Sequence, residues 1–343
     1  LLSGMRQRGY EENFARQIFN QIKGFGEYGF PESHSASFAL LTYVSSWLKC
    51  YHPAAFTCAL LNSQPMGFYA PSQLVQDAQR HEITVLPVDV NQSQYDCSLY
   101  FPENNKSQQA QLRLGLRMVK GLSRIDAETL LRERNITAYA HVQELVTRAH
   151  LSKGALQRLA EADAFRSIGD DRHRSYWEIL DCKNPSPLFP DTTNDKTEIM
   201  LSKPKEGEDI LSDYASTGLS LRRHPLALLR QRLHKLGAAT AEDLWKIPNE
   251  GKATTAGIVT SRQRPGTAAG VMFFTLEDET GFINVVIWAS LIARYRHFIT
   301  SAKLLEVSGT VQQEDDVLHL IAEKLTDRSD WLNNMTLRSR DFC

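Results

Sequence analysis

The sequence predicts a multidomain α+β chain, with helices over roughly its first 250 residues and a five-stranded β-barrel after them. Three observations carry this. Apolar residues before Lys252 recur at helical spacing, as in Phe14, Ile18 and Ile22 or Leu226, Leu229 and Leu233; from Lys252 to Leu325 they alternate with period two. A polar, proline-punctuated stretch from Lys183 to Asp209 separates two better-patterned regions. The length of 343 residues is enough for two or three cores. A net charge of -1 excludes a global basic field, so nucleic-acid binding must come from local patches. The five cysteines (Cys50, Cys58, Cys97, Cys182, Cys343) form no C-x-x-C pair or zinc spacing, which suits a reducing cytoplasm. No apolar run approaches the roughly 20 residues of a membrane span, and no signal peptide is visible. The first residue is Leu1, with an amphipathic pattern already under way, so the chain reads as a piece of a longer polypeptide.

The first strong helix carries Phe14, Ile18, Phe19 and Ile22, with Lys23 at its negative pole and Gly24 as its stop. Gly24 to Gly29 spell G-x-G-x-x-G, but a dinucleotide turn needs a strand before it and a helix starting inside it. Here a helix precedes and Phe30-Pro31 follows, so the motif is helix-loop-helix and the nucleotide reading fails. A second helix starts near Ser33 or Ser35, places Phe38, Leu41, Val44, Trp47 and Leu48 on one side, and stops at His52. Pro53 opens a short helix with Phe56, Leu60 and Leu61. Another helix runs from Pro71 through Leu74, Val75 and Ala78 to the extended run "ITVLPVDV", where Asp89 reads as a turn former; residues 102–111 form a polar loop.

Ser123-Arg124-Ile125-Asp126 fits a capping box, so a helix starts near Arg124. The turn before it, Lys120-Gly121-Leu122-Ser123, bends sharply at glycine and faces amide N–H groups and a helix N-terminus outward, a combination that attracts phosphate. This resembles a helix-hairpin-helix unit, a sequence-independent reader of the DNA backbone, with Ser123 where the usual second glycine stands. A second unit follows, with Ser152 capping a helix at Lys153 and Leu151 stapled to Leu156; its turn is open to a purely structural reading. Between Leu112 and Leu180 there are 12 Lys/Arg against 9 Asp/Glu, so an interaction platform without DNA is the competing reading of both pairs.

The stretch 182–220 reads as a linker. Within it, Asn184-Pro185-Ser186-Pro187 leads to Leu188 and Phe189, two apolar residues in an extended polar peptide that can anchor into a partner's pocket or tack the linker onto its neighbour. A helix follows at "HPLALLRQRLHKLG", and 221–236 holds five Lys/Arg and no acid. The strand candidates "ATTAGIVTSR", "VMFFTLEDE", "FINVVIW", "KLLEVSGTVQQ" and "VLHLIAEKL", with the helical insert "SLIARYRHFI" between the third and fourth, give the OB-fold arrangement. Its binding face offers Arg262, Arg264, Phe273, Phe282 and Trp288, beside a glycine-containing loop from Pro265 to Gly270. Phe273 and Phe274 must point opposite ways. No D-x-D is present for a two-metal site; Asp170-Asp171, Glu277-Asp278-Glu279 and Glu314-Asp315-Asp316 each read as solvated turns.

The run "GFGEYGFPESHSASFALLTYVSSWLKCYHPAAFTCALLNSQPMGFY", Gly24 to Tyr69, with "LVQDAQRHEITVLPVDVN" and the late "SRDF", resembles the bacterial C-family DNA polymerases. The wording is closest to their error-prone, damage-inducible branch (ImuC type), paralogous to the replicative alpha subunit. The resemblance covers the chain apart from the linker. It implies distal fingers over 1–110, a helix-hairpin-helix region over 111–181, the linker 182–220, a connecting helix over 221–250, an OB domain over 251–327 and a tail over 328–343. Lys23, Ser33, His34 and Ser37 then lie near phosphates; the alternative is that Ser33 and Ser35 cap a helix and His34 is a structural hydrogen-bonder. Leu188 and Phe189 resemble a sliding-clamp-binding peptide with Asn184 in place of its leading Gln. The implied partners are duplex and single-stranded DNA, the clamp and an SOS mutagenesis protein, in the cytoplasm. The catalytic carboxylates and their Mg2+ belong upstream in the parent, and this chain alone lacks them. The competing reading is a non-catalytic adaptor that binds protein or RNA.

Overall fold

The computed structural model describes residues 2–28, 32–67, 69–102, 110–169, 171–181, 204–266, 270–315, 317–332 and 340–342. The N-terminal helices are α1 (Leu2–Gln7), α2 (Glu12–Tyr28), α3 (Glu32–Tyr51), α4 (Pro53–Asn62) and α5 (Pro71–Arg80). Helix α2 runs past Lys23 and through Gly24 and Gly26, where the sequence places its stop. Glycine weakens a helix interior by about 1 kcal/mol but forbids nothing; the helix ends ahead of Pro31. Prolines open α4 and α5 at their first helical position, where the missing N–H costs no hydrogen bond.

Strands β1 (Val85–Leu86), β2 (Ser98–Tyr100) and β3 (Gln111–Arg113) form a small sheet, β3 central, parallel to β1 and antiparallel to β2. Helices α6 (Arg124–Ile136), α7 (Val142–Ala149), α8 (Lys153–Glu161) and α9 (Arg172–Asp181) pack with it around one core that includes Leu61, Leu112, Leu116, Leu130, Leu145, Leu159 and Phe165. Asp89 turns the chain beside this core: its carboxylate accepts from the amides of Asn91 (2.9 Å), Gln92 (3.1 Å) and Ser167 (3.1 Å) and from the Ser167 hydroxyl (2.8 Å).

The stretch 182–220, which reads as a linker in the sequence, is only in part a connection. Residues 182–203, with Leu188 and Phe189, lie outside the described residues, but Glu206–Ser216 form helix α10. The acidic first turn (Glu206, Glu208, Asp209) suits the positive pole of a helix, and Ile210 is fully buried. Helices α11 (Pro225–His234) and α12 (Ala241–Leu244) then lead into the barrel.

The barrel is built from β4 (Lys252–Gln263), β5 (Met272–Glu277), β6 (Phe282–Ile287), β7 (Leu304–Glu314) and β8 (Val317–Asp327), with α13 (Ala289–Arg294) and α14 (Arg296–Ser301) between β6 and β7. Strand β4 pairs antiparallel with β7 from Lys252 to Ile258 and with β5 from Ile258 to Gln263, the second pairing interrupted by an irregularity between Val259 and Ser261. The parallel pairing of β6 with β8 completes the closure. A bulge between Ser308 and Gly309 brings β7 onto β8 so closely that a Cβ at 309 would stand 2.0 Å from the Ile321 carbonyl oxygen; only glycine fits. The interior is filled by Phe274, Leu276, Val285, Ile287, Leu305, Val307 and Leu320. Phe274 is thus the inward partner and Phe273 the outward one. A short strand β9 (Arg340–Phe342) lies parallel to Ser261–Gln263 on β4.

Candidate nucleic-acid interface

The first hairpin follows a single 3-10 turn, Leu116–Met118. Gly121 sits at φ +76° and is exposed, and Ser123 caps α6, accepting from the Asp126 amide at 3.0 Å. A Cβ on Gly121 would meet the Arg158 guanidinium 2.8 Å from Nε, so an exposed arginine of α8 lies directly on the turn. The second hairpin repeats the plan: His150 at φ +48°, then Leu151, then Ser152 capping α8 through the Ala155 amide at 3.1 Å.

Lys120 departs from its expected placement. Its ammonium donates to the carbonyls of Tyr214 (2.7 Å) and Ala215 (3.0 Å), and its amide to that of Ser216 (2.8 Å). It therefore caps the negative pole of α10, and two of the three ammonium donors are given to these carbonyls. The same helix is anchored by charge. Arg172, almost fully buried on α9, donates to the Asp209 carbonyl (2.9 Å) and pairs with the carboxylates of Asp209 and Asp213. Arg222 reaches Asp163 (3.0 Å), Asp209 (3.2 Å) and Asp213 (3.4 Å). Burial pushes the Asp209 carboxyl up, offset by Arg222 and Arg172.

On the barrel, Arg262 also leaves its expected role. It is 8% exposed, and its guanidinium donates to the carbonyls of Ile299 (2.8 Å) and Ala302, at the end of α14, while resting 5.5 Å from the Phe274 ring. The reason is register: Arg262 pairs with Phe274, and both point inward. Arg264, two residues on, is exposed. Phe273 faces outward beside Gln263 and Val286, and Trp288 is 53% exposed at the end of the same row. Thr267, Ala268 and Ala269 of the neighbouring loop lie outside the described residues. Lys23 and His34 are exposed on α2 and α3, the His34 ring 4.4 Å from that of Phe38; the side chain of Ser33 is outside the described set, and Ser37 is exposed. The apolar side of α3 is exposed as well: Phe38, Leu41, Val44, Trp47 and Leu48 all show a third or more of their surface.

The acidic turn at 277–279 overturns its reading as a solvated loop. Asp278 is 2% exposed and accepts from the amides of Ala241 (2.7 Å), Thr280 (2.8 Å) and Gly281 (2.9 Å), with Arg230 3.4 Å away. Glu279 pairs with Arg230. Glu277 accepts from Gln76 of α5 at 2.7 Å and lies 3.6 Å from His224. Burial raises the Glu277 carboxyl and pushes His224 down to about 4. These carboxylates are thus consumed in holding the barrel to the helices. Among the described residues no group of three or more His, Cys, Asp or Glu is arranged to hold a metal ion. Among the same residues no helix is long and apolar enough to cross a membrane.

Arg158, the clamping of α10, and the contact of α5 with the barrel were missed by sequence reasoning. The only signal for any of them was the acidic "EGED" opening of α10.

A helical region bearing a helix-hairpin-helix domain, followed by a closed five-stranded OB barrel, defines the class. Residues 82–175 match the family model of the helix-hairpin-helix motif, and residues 253–328 that of the OB-fold nucleic acid binding domain. Over 100% of its length the chain is 52% identical to the error-prone DNA polymerase of Methylococcus capsulatus, 50% identical to that of Alkalilimnicola ehrlichii and 47% identical to that of Pseudomonas savastanoi. It spans about a third of each relative's length: 34%, 33% and 33%. Among solved structures, the hypothetical protein ygiW from E. coli is similar over 26% of this chain and 87% of its own, at 15% identity and a TM-score of 0.20, too low to build on.

Proposed function

We propose that this chain is the DNA-gripping and partner-docking portion of an error-prone DNA polymerase that serves damage-induced mutagenesis and translesion synthesis in the cytoplasm. The observation that carries the reading is identity of about one half along the whole chain to proteins of that name, with two nucleic-acid-binding modules inside the matched span. The hairpins at Gly121 and His150 hold duplex phosphates without regard to sequence. Arg264, Phe273 and Trp288 receive unpaired template on the barrel, and Lys23 and His34 stand on the fingers side. Template-directed nucleotidyl transfer, its paired carboxylates and its Mg2+ belong to the remainder of the longer polypeptide. Leu188 and Phe189 dock the sliding clamp, and an SOS mutagenesis protein is a further partner.

The test is a pair of measurements on the pure chain. Primer extension with magnesium or manganese should give no product, and anisotropy titration should show salt-sensitive binding to a primed template and to oligothymidylate. Templated incorporation would overturn the placement of the active site, and absence of binding at low salt would overturn the grip. Replacing Leu188 and Phe189 by Ala should cost about 1–3 kcal/mol of clamp affinity, the usual range for anchor residues.

A further inference from the structure

On the face of β6 away from the barrel interior lie Phe282, Asn284 and Val286, leading to Trp288; Val286 is buried, with Phe273 and Gln263 beside it on the neighbouring strands. At about 3.3 Å per residue the row is roughly 20 Å long, and its two ends differ. At the Phe282 end, helix α5 lies on the barrel: the Arg80 guanidinium stands 4.8 Å over the Phe282 ring, and Gln76 donates to Glu277, the residue directly opposite Phe282. The acids of the region, Glu277, Asp278 and Glu279, gather there too. At the Trp288 end the side chains are Arg264, Gln263, Phe273 and Trp288, with no carboxylate among them. A strand on this face therefore meets the exposed Arg264 at one end and the body of α5 at the other, where the acids are already engaged by Arg230 and Gln76.

We infer that the barrel carries a half-site for single-stranded nucleic acid: a short run of unpaired bases stacks on Phe273 and Trp288 with a phosphate on Arg264, and α5 ends the track before Phe282. Gln76 and Arg80, far from the barrel in sequence, thereby set the length of strand that the barrel reads. This rests on the proposed nucleic-acid role and adds to it a boundary. OB folds occupy about 4–16 nucleotides, so the half-site falls at or below the short end of that range.

The experiment titrates the full chain with labelled oligothymidylates of about two to sixteen nucleotides, at low and moderate salt. Once the number of registers is divided out, affinity should stop rising at about four nucleotides. Phe273→Ala and Trp288→Ala should each weaken binding about tenfold, as loss of one stacking platform does, while Phe282→Ala stays within about twofold. All three side chains are at least partly exposed, so thermal unfolding should confirm that each variant folds. Equal losses for Phe282→Ala and Trp288→Ala, or a per-register affinity still rising at about twelve nucleotides, would overturn the half-site while leaving the nucleic-acid role standing. No salt-sensitive binding by the wild type at any length would instead overturn the role itself.

Discussion

The two hairpins are one design carried out twice under different loads. Gly121-Leu122-Ser123 and His150-Leu151-Ser152 share a left-handed residue, a leucine and a serine cap, and their capping hydrogen bonds differ by 0.1 Å (3.0 and 3.1 Å). What differs is what leans on them. The first turn has Arg158 against its backbone and the end of α10 on its lysine; at the second, His150 and Ser152 are exposed and Leu151 packs against the core. Glycine stands where Arg158 crowds the turn, and histidine stands at the second turn at the cost of a left-handed backbone. Glycine in such a turn thus reports packing between the two units as much as an approach to phosphate.

The largest way to break this comparison is Gly121→Ala. It forces alanine into the left-handed region and displaces Arg158, and should destabilise the chain by about 1–2 kcal/mol in denaturant unfolding. A neutral result would remove the distinction between the turns. Next is Lys120→Ala, which uncaps α10. Hydrogen exchange in residues 206–216 should accelerate by about fivefold or more, corresponding to about 1 kcal/mol for exposed hydrogen bonds to a cation. Unchanged exchange would mean that the arginine network alone holds the helix. His150→Gly should move stability the other way, by up to about 1 kcal/mol, since it relieves the same backbone cost that Gly121 avoids. Arg158→Ala should leave stability within about 0.5 kcal/mol. Its effect belongs in binding: if the first hairpin grips duplex phosphate, the log–log salt slope should fall by about one unit for every sequence alike. Among the described residues Arg158 has no ion-pair partner, so its charge is available for that role.

Much of this was legible locally. Ser123 and Ser152 announce their helices, Pro53 and Pro225 open theirs, and the period-two run after Lys252 yields all five barrel strands. The failures are of one physical kind. Arg262 reads as a loop cation because the carbonyls that take it belong to a helix end 37 and 40 residues away. Helix α10 reads as linker because its partners, Arg172 and Lys120, lie far upstream. Glu277 and Asp278 read as solvated because the groups that bury them, Gln76, Arg230 and the Ala241 amide, are distant in sequence. Polar residues carry no periodicity to show which side they face, so only the assembled fold assigns them.

The buried acidic turn also governs how the molecule moves as a whole. With Asp278 and Glu279 tied to Arg230 and α12, and Glu277 tied to α5, barrel and helices are riveted through one short segment of chain. The expected outcome is a single rotational correlation time for barrel and hairpin amides in 15N relaxation; two distinct times would show that these contacts do not hold the parts together. If the proposed duplex and single-strand surfaces hold, the spacing between them is a fixed length, against which a junction of duplex and single strand would be measured as against a caliper.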